Sequence, residues 1–548
     1  MHDGESSEPR HRVLLEGFRP TTDSLDWRLS SGFWEREGRQ AFLRYGVPHL
    51  ITSDGVYAAK AADVLHASCA AAHKAGALEA EIRVAEFGVG LGLHAQLLLD
   101  RFRARCRDTG TDFYDRLTFY ATDVAPQMLR DVAHQGTFAG HRDRVRLGLV
   151  DGLDPRTFED LATGESLTLT GLRAVVHNYL LDALPFDTLV ARKDHWLRLH
   201  FRTWLDATER EHAALAADPG ALLELQPRLE VEHAYLPVDP EALPFGDHLR
   251  SFADALVASW AAEPDDITFV HSYGALASVA ATVELLADDG FLLFTDFGPT
   301  DLTSVPAFRR YGGSRAVGVN FPLLSHAVPA VGAATDPVHV VVPAGEDSAA
   351  LHARLVHRGA SAETVAAFES EYHHRGFVEF AELIDEAHAA RDRNDHAVAH
   401  ALYAQAHERY PTSWYVLLEW AEFVIFVLQD ADVGLALAQK VAEMNPTSTA
   451  LVHNVLGDAL ELAGREDEAE HAFRRAVEVS PSDARGHASL AKALSRRGAH
   501  PDAIAELALA LTVDDAGHQR PPLLDMLGWI LDRRDAATRE RTPPDRDR

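Results

Sequence analysis

Residues 82–92 read IRVAEFGVGLG, and this stretch decides the fold of the chain. An apolar run typical of a buried strand leads to the acid Glu86, and glycines follow at the alternate positions Gly88, Gly90 and Gly92. Backbone without side chains lets a nucleotide-like ligand lie against the end of the strand and the N-terminus of the next helix. The stretch therefore predicts a ligand-binding loop, although a plain turn is also compatible with it.

The spacing of the glycines separates two kinds of nucleotide site. The dinucleotide fingerprint is Gly-x-Gly-x-x-Gly, with two residues between its second and third glycines. In this chain only one residue separates the second and third glycines, and position 93, where the fingerprint would have its last glycine, is leucine. With its acid two residues before the first glycine, the loop instead resembles motif I of the class I S-adenosylmethionine (SAM) methyltransferases. That resemblance implies that the loop and Glu86 hold the methionine part of SAM, with another nucleotide as the alternative ligand.

Two further acids follow predicted strands. The apolar run 117–122 ends at Asp123, and an acid at this place in a doubly wound sheet accepts from both ribose hydroxyls. The run 145–150 ends at Asp151 and Gly152, where an acid commonly faces the adenine amino group and the backbone reads a ring nitrogen. A helix N-cap is the alternative for the first acid and a simple turn for the second. We expect these strand ends to lie beside the glycine loop.

Residues 175–185 read VVHNYLLDALP and carry a more specific resemblance. They are similar to the Asn-Glu-x-x-Asp-Ala-Leu-Pro signature of the MidA-like methyltransferases, a family that includes a mitochondrial complex I assembly factor that methylates arginine. Three other segments support the resemblance: TSDG at 52–55, the alternating segment 187–205 with Trp196, and GFLLFTDFG at 290–298. It spans roughly residues 40–345 and again implies SAM as the cofactor.

The same resemblance implies which residues face the methyl acceptor. Asn178 and Asp182 are expected to be catalytic, and Tyr179 and Asp296 are expected to join Asp182 in contacting the substrate. His177 is a candidate general base near neutral pH and a candidate cofactor contact. The alternatives are a hydrogen-bonded core histidine for His177 and a structural cap for Asp182.

Tyr179 departs from the family signature, which has glutamate at this position. A carboxylate there would hold a guanidinium and favour its attack on the methyl group, so its absence argues against arginine as the acceptor. Methyl transfer depends mainly on aligning donor and acceptor, which lowers a barrier by up to about 7–11 kcal/mol. The sequence therefore identifies the cofactor better than the acceptor.

Strand and helix patterns alternate through the central part of the chain and predict a parallel sheet wrapped by helices. The strand candidates are 82–87, 117–122, 145–150, 173–177, 267–271, 291–295 and 338–342. Residues 187–205 predict an inserted β-hairpin with a turn at 193–195, and 206–246 a helical insertion. Residues 1–25 are polar and expected to be mobile, and 26–80 read as helical.

A repeat takes over in the last third of the chain. Pro411, Pro446 and Pro481 recur every 35 residues, and small and large residues alternate between them as in tetratricopeptide repeats. Four units and a capping helix over 523–534 predict a short solenoid, although Glu422 occupies a place where a small residue belongs. Such solenoids usually bind a peptide or protein, with self-association or a bare scaffold as alternatives.

These patterns give a fold class and domain boundaries. We predict an α/β protein with the Rossmann-like sheet of class I methyltransferases, carrying an inserted hairpin and helices, followed by an all-α tetratricopeptide-repeat solenoid. The boundaries are an N-terminal helical, substrate-side segment at 1–80, a methyltransferase domain at 81–345 with an insertion at 187–246, linker helices at 346–376 and the repeats at 377–548.

Composition limits the classes of partner that the chain is expected to bind. The formal net charge of −31 disfavours nucleic acid and anionic membranes, and it is compatible with a basic peptide or protein or with solubility alone. Cys69 and Cys106, the two cysteines, cannot form a disulfide framework and have no metal-ligand spacing, so we expect no metal. No secretory signal or membrane-spanning run is visible, and a cytoplasmic location is expected.

Together the motifs predict a SAM-dependent methyltransferase that acts on a protein or peptide recruited by the repeats. The expected acceptor is a nitrogen, either of an arginine or of another side chain or the backbone. Two alternatives stay open. The chain is compatible with a small-molecule O- or N-methyltransferase of a biosynthetic pathway whose solenoid serves assembly or oligomerisation. It is also compatible with a non-catalytic SAM-binding adaptor, which the tyrosine at position 179 motivates.

Overall fold

The computed structural model describes residues 10–45, 47, 50, 53–192, 195–217, 222–258, 266–301, 308–311, 313–331, 337–344, 351–373, 377–514 and 520–541. The strands are β1 (His11–Pro20), β2 (Ile82–Phe87), β3 (Leu117–Asp123), β4 (Val145–Asp151), β5 (Asp154–Asp160), β6 (Ser166–Thr168), β7 (Leu172–Asn178), β8 (Asp187–Arg192), β9 (Trp196–Ala207), β10 (Leu229–Val238), β11 (Asp266–His271), β12 (Leu286–Phe297), β13 (Phe308–Tyr311), β14 (Ser314–Val317), β15 (His339–Val341) and β16 (Leu351–His357).

Helices fall into two sets, one around the sheets and one in the repeats. The first set is α1 (Leu25–Glu37), α2 (Gln40–Tyr45), α3 (Gly55–Lys74), α4 (Leu93–Thr109), α5 (Pro126–Gln135), α6 (Glu209–Ala217), α7 (Leu222–Leu225), α8 (Gly246–Ala258), α9 (Tyr273–Leu285), α10 (Phe321–Val331) and α11 (Ala362–Tyr372). The second set is α12 (Phe377–Asp392), α13 (His396–Arg409), α14 (Trp414–Phe423), α15 (Ala431–Met444), α16 (Ala450–Leu462), α17 (Glu466–Val479), α18 (Ala484–Arg496), α19 (His500–Val513) and α20 (Arg520–Arg541).

The central sheet has the strand order β15-β16-β12-β7-β2-β3-β4-β5-β6. Its middle five strands, β12 to β4 in this order, are parallel, and the pairs toward both edges are antiparallel. Chain order reverses between β2 and β7, so the sheet has its topological switch point directly beside the glycine loop. This order confirms the predicted Rossmann-like fold of the class I methyltransferase type.

Two hydrophobic cores cover the faces of the sheet. Every residue of β7 is buried, as expected for a strand packed on both faces. One core joins the sheet to α3 and α4, through residues such as Leu65 and Phe102. The other joins it to α8, α9 and α10, through residues such as Phe252 and Val279. The parallel strands are therefore held from both sides and their carboxyl ends are fixed relative to one another.

The predicted hairpin forms, but it belongs to a second sheet. β8 and β9 are antiparallel, with Leu189 opposite Arg198, and residues 193–194 of the predicted turn lie outside the described part of the chain. β11 covers the strand candidate 267–271 and pairs antiparallel with β8 in this second sheet. The expectation that 267–271 joins the parallel sheet was therefore wrong, because an apolar run predicts a strand and does not specify its partner.

Three other expectations need correction, each because a strand forms where none was predicted. β1 lies in the N-terminal stretch expected to be mobile, where it pairs with β9. β10 lies in the predicted helical insertion and pairs with the other edge of β9 over its whole length. β16 lies among the predicted linker helices and pairs with β12 and β15. Each of the three pairs with a strand to which no short turn connects it: β1 with β9, β10 with β9 across α6 and α7, and β16 with β12 across α10. Local patterns do not report such partners.

The repeat region is a solenoid of helix pairs, as predicted. Four pairs, α12–α13 to α18–α19, are followed by the capping helix α20. In the third pair a Cβ on Gly457 would lie 2.6 Å or less from ring atoms of Phe473, so the small residue is required for the close approach of α16 and α17. Glu422, the exception in the second unit, is half-buried and accepts a hydrogen bond from Arg485 of α18.

The solenoid and the sheet domain share one hydrophobic core. Trp414 is fully buried at the start of α14, in the same cluster as Tyr57 and Leu65 of α3. Val452 and Val455 of α16 belong to that cluster as well. The two regions therefore pack as one body along this contact. Within the described residues, no helix is both long and apolar enough to cross a membrane.

Candidate functional site

The glycine loop adopts a backbone that only glycine accepts readily. Gly88, Gly90 and Gly92 have φ angles of +72°, +52° and +77°, in the left-handed region that other residues rarely occupy. The surroundings are close: a Cβ on Gly88 would lie 2.9 Å from Leu180 Cδ1, and one on Gly90 would lie 3.3 Å from Phe42 Cζ. Glycine is therefore suited to these positions for two reasons: the backbone conformation and the close packing of neighbouring side chains.

Glu86 lies beneath this loop and is buried. Its Oε2 atom is 3.1 Å from Nδ1 of His94, in the first turn of α4. The Thr122 hydroxyl donates to the Glu86 carbonyl, and the backbone N–H of Val89 donates to the Thr122 carbonyl. The acid therefore ties the end of β2 to the start of α4, and His94 is a site residue that the sequence reasoning missed.

Asp123 connects the glycine loop to the next strand end. Its Oδ2 accepts from the Gly90 N–H at 3.2 Å, and its Oδ1 accepts from the Ala125 N–H at 3.0 Å. Burial raises the pKa of this carboxyl above its usual range. The contact with Ala125 belongs to the turn after β3. It is not the helix N-cap named as the alternative, because the N-cap of α5 is Ala125 and has no side-chain cap. Because each carboxylate oxygen accepts more than one hydrogen bond, the group keeps acceptor capacity for a ligand.

Asp151 and Gly152 lie at the end of β4, as expected, and the Asp151 side chain is exposed. Its Oδ1 accepts from the Leu153 N–H at 2.9 Å, which is the turn interaction named as the alternative. A Cβ on Gly152 would be 3.6 Å from Leu184 and 3.8 Å from Leu180. Leu180 therefore lies near both Gly88 and Gly152, and it adds an apolar wall that the sequence reasoning did not identify.

The signature at the end of β7 forms a tight connection with β12. The Thr295 hydroxyl donates to Asn178 Oδ1 at 2.9 Å, and the Tyr179 N–H donates to the Thr295 carbonyl at 2.9 Å. Tyr179 has a φ of +59°, which is strained for a residue with a side chain. Its ring meets Phe297 edge-on, with the centroids 5.0 Å apart. An aromatic pair thus stands where the resemblance would have placed a glutamate.

Asp182 and Asp296 form a buried pair of acids. The Asp296 carboxylate accepts from the backbone N–H groups of Leu181 at 2.7 Å, Asp182 at 3.3 Å and Phe297 at 2.7 Å. Burial raises the pKa of Asp296 to about 7. Burial and the neighbouring Asp296 carboxylate raise the pKa of Asp182 well above its usual range. Asp296 therefore anchors the signature loop, and burial beside a second carboxyl favours the protonated form of Asp182.

His177 occupies a different environment from the one expected for a general base. It is fully buried in β7, its ring centroid lies 5.4 Å from that of Phe87, and its Nε2 is 3.4 Å from the hydroxyl of Thr282 on α9. Burial lowers the pKa of the imidazole to about 3. These contacts favour the core-histidine interpretation, because the ring is enclosed between the sheet and α9.

The structure brings most of the predicted residues to one edge of the sheet. The loop glycines, Asp123 and Asp151 follow the adjacent parallel strands β2, β3 and β4, and Asn178 follows β7 on the other side of the switch point. Thr52, from the supporting segment at 52–55, lies outside the described residues. Among the described residues there is no group of three or more His, Cys, Asp or Glu side chains suited to a metal ion.

Comparisons with known proteins give similarities of fold to both halves of the chain. A scan of protein-family models and a search of curated proteins found no match. A candidate methyl transferase from Burkholderia thailandensis, crystallised with S-adenosyl-homocysteine, is 16% identical with a TM-score of 0.41, covering 64% of this chain and 91% of that chain.

Two solved structures match the repeats. A thermophilic tetratricopeptide-repeat protein from Thermus thermophilus is 18% identical with a TM-score of 0.25, covering 30% of this chain and 93% of its own. A MamA protein is 18% identical with a TM-score of 0.25, covering 29% of this chain and 86% of its own. The class that the topology itself defines is a Rossmann-like sheet of the class I methyltransferase type joined to a tetratricopeptide-repeat solenoid.

Proposed function

We propose that the chain is a SAM-dependent methyltransferase whose donor binds at the glycine loop. The observation that carries the proposal is the placement of three left-handed glycines at the end of β2, beside the switch point of the sheet. Ligands of open α/β sheets bind in the crevice at such a point. The acid at the end of the next strand, Asp123, is hydrogen-bonded to the loop itself.

The residues present are compatible with SAM. A side chain at Gly88 or Gly90 would crowd Leu180 or Phe42, so the loop keeps a bare backbone that a ligand can approach closely. Asp123 retains acceptor capacity for ribose hydroxyls, and Leu180 supplies an apolar surface near Gly152 for a ring. The residues that would hold SAM are therefore the loop glycines, Asp123, Asp151 and Gly152, with Glu86 and His94 supporting the loop from below.

When bound, SAM supplies an electrophilic methyl group on a sulfonium. The chain's own contribution is alignment and exclusion of water, worth up to about 7–11 kcal/mol of the barrier for well-placed groups. The signature loop is suited to this task because Asn178 and Asp296 fix it to β12 by hydrogen bonds. A loop held in this way orients an acceptor without a dedicated catalytic base.

We further propose a neutral nitrogen of a protein or peptide as the acceptor. Tyr179 replaces the acid of the family signature, and burial beside Asp296 disfavours the charged form of Asp182 that would attract a guanidinium. Both features argue against arginine. The solenoid supplies a surface for a protein or peptide beside the catalytic half.

A small-molecule acceptor is the second candidate, and the shared core favours it. Trp414, the first residue of α14, is buried against α3. The solenoid therefore has a structural role that requires no recruited substrate. The non-catalytic adaptor remains the third candidate, because Tyr179 interrupts the signature. Each candidate predicts a different result from one set of measurements on the full chain.

The test combines donor titration with a search for transferred methyl groups. We expect calorimetric titration with SAM and with S-adenosyl-homocysteine to show binding in the micromolar range. Labelled SAM added to a proteome extract should label a protein or peptide, and mass spectrometry should find a CH₂ increment on nitrogen. Label only in the small-molecule fraction would establish the second candidate, donor binding without transfer the adaptor, and absence of donor binding would overturn the site.

A further inference from the structure

The solenoid meets the catalytic half through its turns. The prolines that mark the repeat, Pro411, Pro446 and Pro481, lie in three successive turns between helix pairs. Each of these turns makes a hydrogen bond to the segment that precedes or opens α2 and α3. One edge of the solenoid is therefore used within the chain itself.

The first turn binds the start of α3. Asp54 is fully buried, and its Oδ1 accepts from the Val56 N–H as the N-cap of that helix. Its Oδ2 accepts from the hydroxyl of Ser413 at 2.8 Å and from the N–H of Tyr415 at 3.3 Å. The indole N–H of Trp414 donates to the Ser53 carbonyl at 3.0 Å. One carboxylate thus caps a catalytic-domain helix and joins it to a repeat helix.

The second turn binds the segment before α2. The Thr447 carbonyl accepts from Nη2 of Arg39 at 2.6 Å, and the Thr447 hydroxyl is 3.3 Å from that of Thr137. Arg39 is 6% exposed, and burial lowers the pKa of its guanidinium to about 10, so it stays charged at neutral pH. Its backbone N–H donates to Asp131 of α5 at 3.1 Å. In the third turn, Ser482 donates to Gln40 at 3.1 Å.

A short path leads from this turn to the glycine loop. The N–H of Phe42 donates to the Arg39 carbonyl at 3.1 Å, so Arg39 fixes the first turn of α2, which carries the Phe42 ring. That ring lies 3.3 Å from the Cβ position of Gly90. Thr137, the hydroxyl neighbour of Thr447, lies 3.1 Å from the Cβ position of Gly92. Thr137, which contacts the repeat turn, and Phe42, which is hydrogen-bonded to Arg39, therefore both border the glycine loop.

We propose that the repeat turn at Thr447, acting through the positioning residue Arg39, holds Phe42 against the glycine loop, so that donor affinity depends on the solenoid. The proposal rests on the proposed donor site and goes beyond it, because it makes the solenoid part of that site's wall. A merely attached recruitment module would leave donor affinity independent of the turn. The contact is a charge-assisted hydrogen bond of a buried cation, the kind whose loss is felt most strongly.

The test uses the full chain with three variants. Arg39→Met removes the donor while keeping the length of the side chain, and Arg39→Lys keeps a cation that can donate to the carbonyl. Gln135→Ala is the matched control, since it removes a hydrogen bond to the Glu478 carbonyl and one from Arg475, both in the solenoid, without touching the segment before α2. Donor affinity is measured by calorimetric titration with SAM, and folding is checked by thermal melting.

We expect Arg39→Met to raise the dissociation constant for SAM about tenfold or more, as for loss of a hydrogen bond to a charged group. Arg39→Lys should recover part of the affinity, and Gln135→Ala should bind as the unmodified chain does. Equal affinity in Arg39→Met and the unmodified chain would overturn the inference while leaving the donor site intact. If Arg39→Met does not fold, Asp131→Asn takes its place, because it weakens the hydrogen bond that the Arg39 backbone N–H donates to Asp131. This variant should raise the dissociation constant for SAM by a smaller factor. An unchanged dissociation constant would also overturn the inference.

Hydrogen exchange without added ligand separates this inference from the proposed function. In Arg39→Met the amides of α2 and of residues 88–92 should exchange faster than in the unmodified chain, and in Gln135→Ala they should not. Faster exchange in a chain that binds no SAM would support the mechanical link and contradict the methyltransferase assignment. Unchanged exchange in both variants would contradict the link itself.

Discussion

Single residues shape the glycine loop, which is the proposed donor site. Gly90 combines a φ of +52° with Phe42 3.3 Å from its Cβ position. A side chain there would be strained by about 1 kcal/mol or more and would also press against Phe42, into the space proposed for SAM. The two effects are separable, because other glycines of this chain share the backbone conformation in open surroundings.

The first prediction concerns Gly90→Leu. We expect SAM binding to be lost through steric blockage, with the melting temperature reduced by only a few degrees. Gly76→Leu is the matched control, because Gly76 has a φ of +71° and no atom within 4 Å of its Cβ position. That variant should carry the backbone strain and bind SAM normally. Normal SAM affinity in Gly90→Leu, measured by calorimetry, would refute the assignment of the loop.

The second prediction follows from the buried acids. The pKa of Asp296 is raised to about 7 and that of Asp182 well above its usual range, while both are near 4 in the unfolded chain. Between about pH 4 and 7 the folded state holds protons that the unfolded state releases. Their contribution to the free energy of unfolding is therefore present at low pH and lost as the pH rises through this window.

Asp182→Asn should make that decline shallower, since it removes one of the two groups. The measurement is the free energy of unfolding by urea at intervals from about pH 5 to 7, compared between the variant and the unmodified chain. Asp143→Asn, at an exposed position, should leave the slope unchanged. An Asp182→Asn slope equal to that of the unmodified chain would show that the carboxyl does not retain its proton on folding.

At the level of whole elements, two kinds of contact matter. Helices pack closely in the solenoid, and hydrogen bonds join the strand ends at the candidate site. Gly457 lets α16 approach α17, because Phe473 occupies the space where a side chain would lie. At the sheet edge, Thr295 of β12 accepts from the Tyr179 N–H and donates to Asn178, so the ends of β7 and β12 are held together. Both arrangements depend on one small or polar residue at a fixed position.

The third prediction concerns this helix contact. Gly457→Ala should destabilise the fold by about 1–3 kcal/mol through overpacking, although alanine is the better helix former. Gly528→Ala in α20 is the matched control, since no atom lies within 4 Å of that Cβ position. It should stabilise by up to about 1 kcal/mol. Urea unfolding followed by circular dichroism measures both, and equal effects in the two variants would contradict the packing argument.

For the molecule as a whole, the shared core joins the two halves into one body. Trp414 is buried among residues of α3 and of the repeat helices, and Asp54 is hydrogen-bonded to both halves. A contact of this kind couples the stability of the sheet domain to that of the solenoid. We therefore expect calorimetry of the unmodified chain to show one main unfolding transition rather than two.

The fourth prediction tests the coupling directly. Trp414→Ala should cost about 3–5 kcal/mol and lower the protection of amides in β2 and β7 as well as in α14. Trp529→Ala in the capping helix is the control, because that side chain is 39% exposed. It should change stability little. Hydrogen exchange read by mass spectrometry distinguishes the outcomes, and loss of protection confined to the solenoid would show that the halves unfold independently.

The sequence by itself determined the features that short segments encode. Strand, glycines and acid all lie within residues 82–92, and the repeat carries its own spacing, so the doubly wound sheet, the loop and the solenoid were all predictable. The strand ends with Asp123 and Asp151 were predictable too, because parallel neighbours finish at one edge. These are consequences of local pattern and of simple rules of chain topology.

Only the tertiary structure decided what depends on distant pairing and burial. It enclosed His177 inside the sheet, paired 267–271 with the hairpin, and brought Thr447 to Arg39 across 408 positions of sequence. An isolated segment reports which side chains it carries, but not which surface covers them. Burial and partner choice arise from the free energy of packing the whole chain, and for that reason the wall around the glycine loop became visible only in the folded molecule.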